Sequence, residues 1–194
     1  YLEEEGISYL DLEYSDVRLY LMYLKDARKL KASSIDRHLS ALRGFYEYLE
    51  KEKKTKVNAF SFIKGPKKDK ILPHYFEYNE IEELFSVNDM SKPLEVRNQL
   101  ILELLYATGI RVSELVNIKL SDINKEERKI RIYGKGSKER YALYGDYAAD
   151  VLDVYLTKVY PSLHRHGDYL ILNSHGNKIT PRGVAYLLDE MIKK

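Results

Sequence analysis

Two short segments contain residue types suited to chemistry on a phosphodiester. Residues 105–115 read Leu-Tyr-Ala-Thr-Gly-Ile-Arg-Val-Ser-Glu-Leu, and residues 134–140 read Gly-Lys-Gly-Ser-Lys-Glu-Arg. The first segment places Arg111 just after a Thr-Gly helix break, where a five-donor guanidinium beside helix N–H groups can hold a phosphate. The second places Lys135 between two glycines, where its ammonium group can give a proton to a leaving oxygen. Taken alone, each residue is more simply interpreted as a solvent-exposed or salt-bridged side chain.

Predicted helices and strands must position these two residues. Apolar residues recur at helical spacing in segments 15–30, 34–51, 79–86, 93–107, 111–118 and 146–159. A further helix begins at Thr180-Pro181, because threonine caps a helix and proline suits its first turn. Segments 129–133 and 139–143 alternate like strands and flank a hairpin turn, and 169–172 is a short extended run. The sequence therefore predicts a mainly α fold with a small antiparallel β-hairpin or sheet.

Polar residues and glycine mark the expected helix ends in the first third of the chain. Ser15 is placed to cap the helix over 15–30, and Ser33 with Asp36 forms a capping pair for the helix over 34–51. Gly6 ends a helical turn, and we expect that this helix begins before the first residue of the chain.

Charge is unevenly distributed along the 194 residues, although the net charge is only +2. Between Lys51 and Lys70 there are eight basic residues against two acidic ones, a local excess of 8 − 2 = +6. Such a basic stripe is typical of a surface that meets a polyanion, although an ordinary lysine-rich linker has the same composition. The absence of cysteine excludes a disulfide framework and a thiolate metal site. No apolar run is long enough to span a membrane.

The context of both candidate residues resembles one enzyme family. Residues 107–116, Ala-Thr-Gly-Ile-Arg-Val-Ser-Glu-Leu-Val, resemble the first arginine box of the tyrosine site-specific recombinases, closest to the Xer type. Lys135 follows Arg111 by 135 − 111 = 24 residues, which is similar to the family spacing of the hairpin lysine.

The resemblance implies a domain organisation. Residues 1–63 resemble the helical, SAM-like core-binding domain without its first helix, and residues 64–73 resemble the basic linker between domains. Residues 74–194 are similar to the first part of the catalytic domain. The family's second arginine, its histidines and its tyrosine nucleophile have no counterpart here. We therefore expect the chain to be truncated, and to bind DNA without cleaving it.

The resemblance also implies a mechanism and its partners. In the family, a tyrosine attacks a phosphate of a double-stranded DNA recombination site to give a 3′-phosphotyrosine, and strands exchange through a Holliday junction. Arg111 is expected to stabilise the transition state and Lys135 to protonate the leaving 5′-oxygen. The expected assembly is a homo- or hetero-tetramer on DNA, with no cofactor, no metal and no membrane, in the cytoplasm.

Other basic residues are expected to contact the DNA backbone, although a solvated face is an equally good interpretation of each. They are Lys31, Arg37, Arg43, Lys64, Lys67, Lys68, Lys70, Lys138, Arg140 and Arg182. Tyr160 and Tyr186 are interpreted as packing residues. His164 and His166 lack the family's His-x-x-Arg spacing and are expected in a surface loop.

Alternatives remain open at this level. A non-catalytic DNA-binding regulator derived from a recombinase has the same boxes, and a type IB topoisomerase-like enzyme shares the chemistry. Chromosome-dimer resolution, with its link to chromosome partition and cell division, and mobile-element integration use the same residues.

Overall fold

Helices make up most of this computed structural model, which describes residues 1–67, 75–134, 139–164 and 166–194. The chain divides into two units, Tyr1–His74 and Tyr75–Lys194. The helices are α1 (Leu2–Glu5), α2 (Tyr14–Met22), α3 (Ala32–Lys51), α4 (Tyr78–Ser86), α5 (Pro93–Thr108), α6 (Val112–Leu115), α7 (Asp146–Val154), α8 (Tyr160–Leu163) and α9 (Pro181–Ile192). Three strands, β1 (Ile123–Asn124), β2 (Lys129–Tyr133) and β3 (Glu139–Leu143), form an antiparallel sheet in the order β1-β2-β3. The predicted fold class is confirmed.

The starts of α2 and α3 differ from the predicted caps. Glu13 takes the cap position of α2, and its N–H donates to Oδ2 of Asp16 at 2.9 Å. Ser15 is therefore already inside the helix and is not its cap. The predicted Ser33–Asp36 pair is wrong for the same reason, because α3 already includes Ala32 and Lys31 precedes it at the cap position.

A small apolar core holds the first unit together. Its buried members are Val17, Leu39, Tyr46, Leu49, Ala59, Phe60 and Ile63. The helical periodicity predicted for α3 accounts for three of them, since positions 39, 46 and 49 share one face. Gly6 ends α1 in the left-handed conformation at φ 65°, as the sequence predicts.

The second unit packs around α5, whose Leu100, Ile101 and Leu104 are fully buried. Apolar residues of β2 face the same core, with Ile130 opposite Ala142 of β3 in the strand register. The buried positions alternate along β2, as expected for a sheet covered on one face. The short strand β1 was not predicted, because two residues are too few for an alternating pattern.

An extended segment and the last helix complete this unit. Leu170, Ile171 and Leu172 are fully buried in an extended run that forms isolated bridges at its two ends. The predicted start of α9 is confirmed, because Oγ1 of Thr180 accepts a hydrogen bond from the N–H of Gly183 at 3.0 Å.

Within the described ranges, no helix combines the length and the apolar character needed to cross a membrane.

Candidate active site

Arg111 lies at the end of a sharp change in chain direction. Gly109 ends α5 in the left-handed conformation, at φ 58°, and its N–H donates to the carbonyl of Leu105 at 3.0 Å. Two residues later Arg111 takes an extended conformation and becomes the cap residue of α6. Its side chain is 75% exposed, so the guanidinium faces solvent. The predicted placement of Arg111 after the Thr-Gly break at the start of a helix is therefore correct.

The helix that follows is shorter than predicted. The periodicity predicts a helix over 111–118, but α6 is a single turn, Val112–Leu115. Tight turn bonds follow it, from the N–H of Asn117 to the carbonyl of Glu114 and from the N–H of Ile118 to that of Leu115, and the carbonyl of Ile118 then accepts from the N–H of Leu170 at 2.8 Å. One turn carries little dipole, so the ability of this site to hold an anion depends on the guanidinium rather than on the helix.

The carboxylate of Glu114 is the centre of the site. Its side chain is 6% exposed and lies beneath Arg111. Oε2 accepts from the backbone N–H of Arg111 at 2.9 Å, and Oε1 accepts from Nη1 of Arg111 at 3.1 Å. Arg140 adds two bonds, from Nη1 to Oε1 at 3.0 Å and from Nη2 to Oε2 at 2.9 Å. Each oxygen therefore accepts one hydrogen bond from each arginine.

The electrostatics of this cluster follow from its hydrogen bonds. The side chain of Arg140 and the backbone N–H of Arg111 stabilise the ionised carboxylate and lower the pKa of Glu114 to about 2. The same contact raises the pKa of Arg140 above its ordinary value. Two guanidinium cations and one carboxylate leave a net charge of +1, and Arg111 is the more exposed of the two arginines.

Arg140 reaches this cluster from the sheet. It lies on β3 opposite Ile132 of β2, and its side chain is 43% exposed. The connection between β2 and β3 carries two of the predicted site residues, Lys135 and Lys138, and both lie outside the described residues. Of the predicted site residues that are described, the structure brings Arg111 and Arg140 together on a shared carboxylate.

Family models match almost the whole chain. The model of the phage integrase family matches residues 74–194, and the model of the phage integrase N-terminal SAM-like domain matches residues 1–53. The chain belongs to the phage integrase family. The resemblance to tyrosine recombinases that the arginine box indicates is thereby confirmed.

Curated relatives agree with this assignment. The chain is 42% identical over 196 residues to the tyrosine recombinase XerC of Staphylococcus saprophyticus, and 43% identical over 194 residues to XerC of Staphylococcus aureus. Both matches include all of this chain and 65% of the relative, so the chain spans about two thirds of the length of these integrase-family members. A lambda integrase dimer bound to a COC′ core site matches 95% of this chain and 66% of its own, with TM-score 0.72 and 20% identity. This structural likeness supports the fold.

The other predicted DNA-contacting residues of this integrase-family chain differ in their surroundings. Arg43 is half-buried and holds the segment after α3, because Nε donates to the carbonyl of Phe60 at 3.2 Å and Nη2 donates to that of Ile63. The remaining described members are exposed and stay predictions: Lys31, Arg37, Lys64 and Lys67 in the first unit, and Arg182 on the first turn of α9 in the second. Lys68 and Lys70 lie outside the described residues.

His164, Tyr160 and Tyr186 differ in their surroundings. Nε2 of His164 lies 2.6 Å from the carbonyl of Gly167, and its ring stacks on Tyr160 at 5.1 Å, which gives this exposed histidine a local role. Tyr160 is buried as predicted, but Tyr186 is 63% exposed and is not a packing residue. It lies two positions from Val184, which places it on the opposite side of α9 from the core. Among the side chains that the structure describes, no metal-ligand cluster of three or more is present.

Sequence reasoning gave Glu114 no role. The spacing Arg-x-x-Glu at a helix start is a recognisable signal, because a glutamate three residues after the cap can accept from the cap N–H. The contact from Arg140 has no comparable signal, since the two residues are 26 positions apart.

Proposed function

We propose that this protein acts in site-specific DNA recombination by tyrosine recombinase chemistry. Its similarity to relatives named tyrosine recombinase XerC supports this proposal. The observation that carries the proposal is an exposed Arg111 guanidinium held at the start of α6 by the buried Glu114 carboxylate. In a chain of the integrase family, this arrangement suits the binding of a scissile phosphate. The substrate is a double-stranded DNA site, and the assembly on DNA is a tetramer of recombinase protomers.

Arg111 has donors available for a phosphate. One terminal nitrogen, Nη1, is bonded to Glu114, and the other two guanidinium nitrogens have no protein acceptor among the described side chains and backbone. A planar guanidinium can present two parallel N–H groups to two phosphate oxygens. Donors fixed in place before the reaction stabilise the charge that develops in the transition state, and loss of one such donor typically lowers the rate about 10²–10³-fold.

The bond changes follow from the proposed chemistry. A tyrosine hydroxyl, which we assign to no residue of this chain, releases its proton to solvent, attacks phosphorus and forms the 3′-phosphotyrosyl bond. The bond to the 5′-oxygen breaks, and Lys135 donates the proton that this oxygen needs. The free energy of the broken bond is retained in the phosphotyrosyl link, so rejoining requires no nucleotide hydrolysis and the proposal includes no cofactor or metal.

The proposal assigns tasks to the parts of the chain. Residues 1–63 form a helical DNA-binding domain, residues 64–73 a basic linker, and residues 74–194 the part of the catalytic domain that carries Arg111 and Lys135. The exposed basic residues of both units contact the DNA backbone. A cytoplasmic site of action and a role in either chromosome-dimer resolution or mobile-element integration are consistent with this proposal.

The deciding experiment measures covalent capture of DNA. The protein encoded by the complete reading frame is incubated with a nicked suicide substrate, and protein–DNA adducts are counted on denaturing gels. We expect adducts with the unaltered protein and their loss in Arg111→Ala, with site binding largely retained. Arg131→Ala is a matched control, because Arg131 also pairs with a buried carboxylate, Asp122 at 3.1 Å, but is assigned no role. Site binding without any adduct would favour the non-catalytic DNA-binding alternative.

A second experiment tests the basic stripe. Charge reversal of Lys64, Lys67, Lys68 and Lys70 to glutamate is expected to weaken DNA binding and to flatten its salt dependence by about one unit of slope for each lost phosphate contact. The control reverses an equal number of lysines that already pair with carboxylates: Lys119, Lys125, Lys129 and Lys193. If the salt dependence of DNA binding has the same slope in this variant and in the unaltered protein, the basic stripe is an ordinary lysine-rich linker.

A further inference from the structure

Arg140 has an environment that a DNA-backbone contact does not explain. Both of its terminal nitrogens donate to Glu114, one to each carboxylate oxygen, at 3.0 and 2.9 Å. The carboxylate is buried at 6% exposure, whereas Arg140 is 43% exposed. A phosphate that took over the two N–H groups now on Glu114 would have to displace a charge-assisted, two-pronged bond.

We propose that Arg140 is a positioning residue for DNA cleavage, which keeps the Arg111 guanidinium available to the scissile phosphate by supplying the second cation that Glu114 requires. This inference rests on the proposed function, because it assigns Arg140 a task in that reaction. It replaces the direct DNA contact that the sequence suggested.

The reason lies in how Glu114 is shared. With both arginines present, each carboxylate oxygen accepts one bond from each, and Arg111 commits a single side-chain nitrogen to Glu114. Without Arg140, the only cation that the structure places on Glu114 in the described ranges is Arg111. The carboxylate is buried and must remain paired, so the exposed guanidinium of Arg111 would turn toward it and away from DNA. The net charge of the cluster would also fall from +1 to zero.

The contact has a second consequence for the site. Arg140 lies at the second position of β3, five residues after Lys135, and its side chain ties this end of the strand to the turn that carries Arg111. Loss of the contact would release the start of β3 from α6.

The test separates positioning from DNA contact by comparing Arg140→Gln with the unaltered protein. We expect site affinity to change by less than about twofold and the salt slope to be unchanged, because no phosphate contact is lost. We expect the rate of covalent capture to fall on the order of 10²-fold, the usual effect of a misplaced catalytic group. Arg140→Lys should recover part of this rate, since it keeps the charge but not the fork. Circular dichroism verifies that each variant is folded.

A double variant gives the readout that a general loss of structure would not produce. In Arg140→Gln combined with Glu114→Gln, the carboxylate that captures Arg111 is removed, and cleavage should be faster than in Arg140→Gln alone. An equal or slower rate in the double variant would overturn the inference. A salt slope lowered by about one unit in Arg140→Gln would also overturn it and assign Arg140 to the DNA backbone. Absence of adducts with the unaltered protein would remove the proposed function and this inference with it, whereas normal cleavage by Arg140→Gln would remove only this inference.

Discussion

Replacement of Glu114 by glutamine tests how strongly the site depends on one buried carboxylate. Glutamine keeps the shape of the side chain, but its amide nitrogen presents N–H groups to arginine donors that need an acceptor. The pKa of Glu114 falls from 4.5 to about 2 on folding, and a shift of one unit corresponds to about 1.36 kcal/mol. The contribution of the charge is therefore at most about 3 kcal/mol. Water around the exposed Arg111 and half-exposed Arg140 screens it, so we expect a loss of about 2 kcal/mol at pH 7.

The expected pH dependence has a definite sign. A carboxylate whose folded-state pKa is depressed stabilises the fold fully above its unfolded-state value, and this stabilisation is lost as the pH falls toward the folded-state value. The difference between the unaltered protein and Glu114→Gln should therefore be constant above about pH 5. It should fall to less than about half near pH 3, where the unfolded chain is already protonated.

Urea unfolding followed by circular dichroism at pH 7 and pH 3 measures this difference, and the melting temperature at pH 7 should fall by roughly 6–8 °C. Glu103→Gln is the matched control, because burial raises the pKa of Glu103. That carboxylate accepts one bond, from Gln99 at 3.2 Å, which glutamine can also accept. The control should be neutral or stabilising at pH 7. A loss below about 0.5 kcal/mol for Glu114→Gln, or an undiminished loss at pH 3, would refute the reasoning.

Two further substitutions test contacts outside the cluster. Arg43→Met removes the donors to the carbonyls of Phe60 and Ile63, and should lower the free energy of unfolding of the first unit by about 1–2 kcal/mol in urea titrations. Tyr155→Phe removes a buried bond to the carbonyl of Leu170 at 3.0 Å and should cost about 1 kcal/mol. Burial also raises the pKa of Tyr155, so the unfolded chain loses this proton first and the difference should shrink above about pH 10. A difference that is constant up to pH 11 would contradict that assignment.

The sequence predicts the elements with strong periodicity and misses those set by tertiary contacts. α9 is predicted because Thr180 and Pro181 are local signals for a helix start, and the strands flanking Gly134 are predicted by their alternation. The chain after α6 could not be predicted, because there the carbonyl of Ile118 pairs with the N–H of the distant Leu170. Local patterns carry no information about such a partner.

The caps show a different kind of error. Serine is a common cap residue, and Ser15 and Ser33 both lie close to a helix start. Each start is nevertheless displaced toward the N-terminus, to a position that a glutamate or a lysine occupies. Around Glu13, the side chain of Asp16 supplies the acceptor that a cap needs, so the identity of the cap residue itself matters less than the acidic residue three positions later.

The candidate site combines both situations. The position of Arg111 at a helix start is predictable, because Gly109, which ends the preceding helix in the left-handed conformation, lies only two residues before it. Its relation to Arg140 depends on the register of β2 against β3 and on the packing of that sheet beside α6, so it follows only from the fold. Two arginines that share one buried carboxylate cannot be assigned separate tasks from their positions in the chain. A change at either residue alters the charge available to the other, and kinetic effects at Arg111 and Arg140 should therefore be non-additive wherever Glu114 remains ionised.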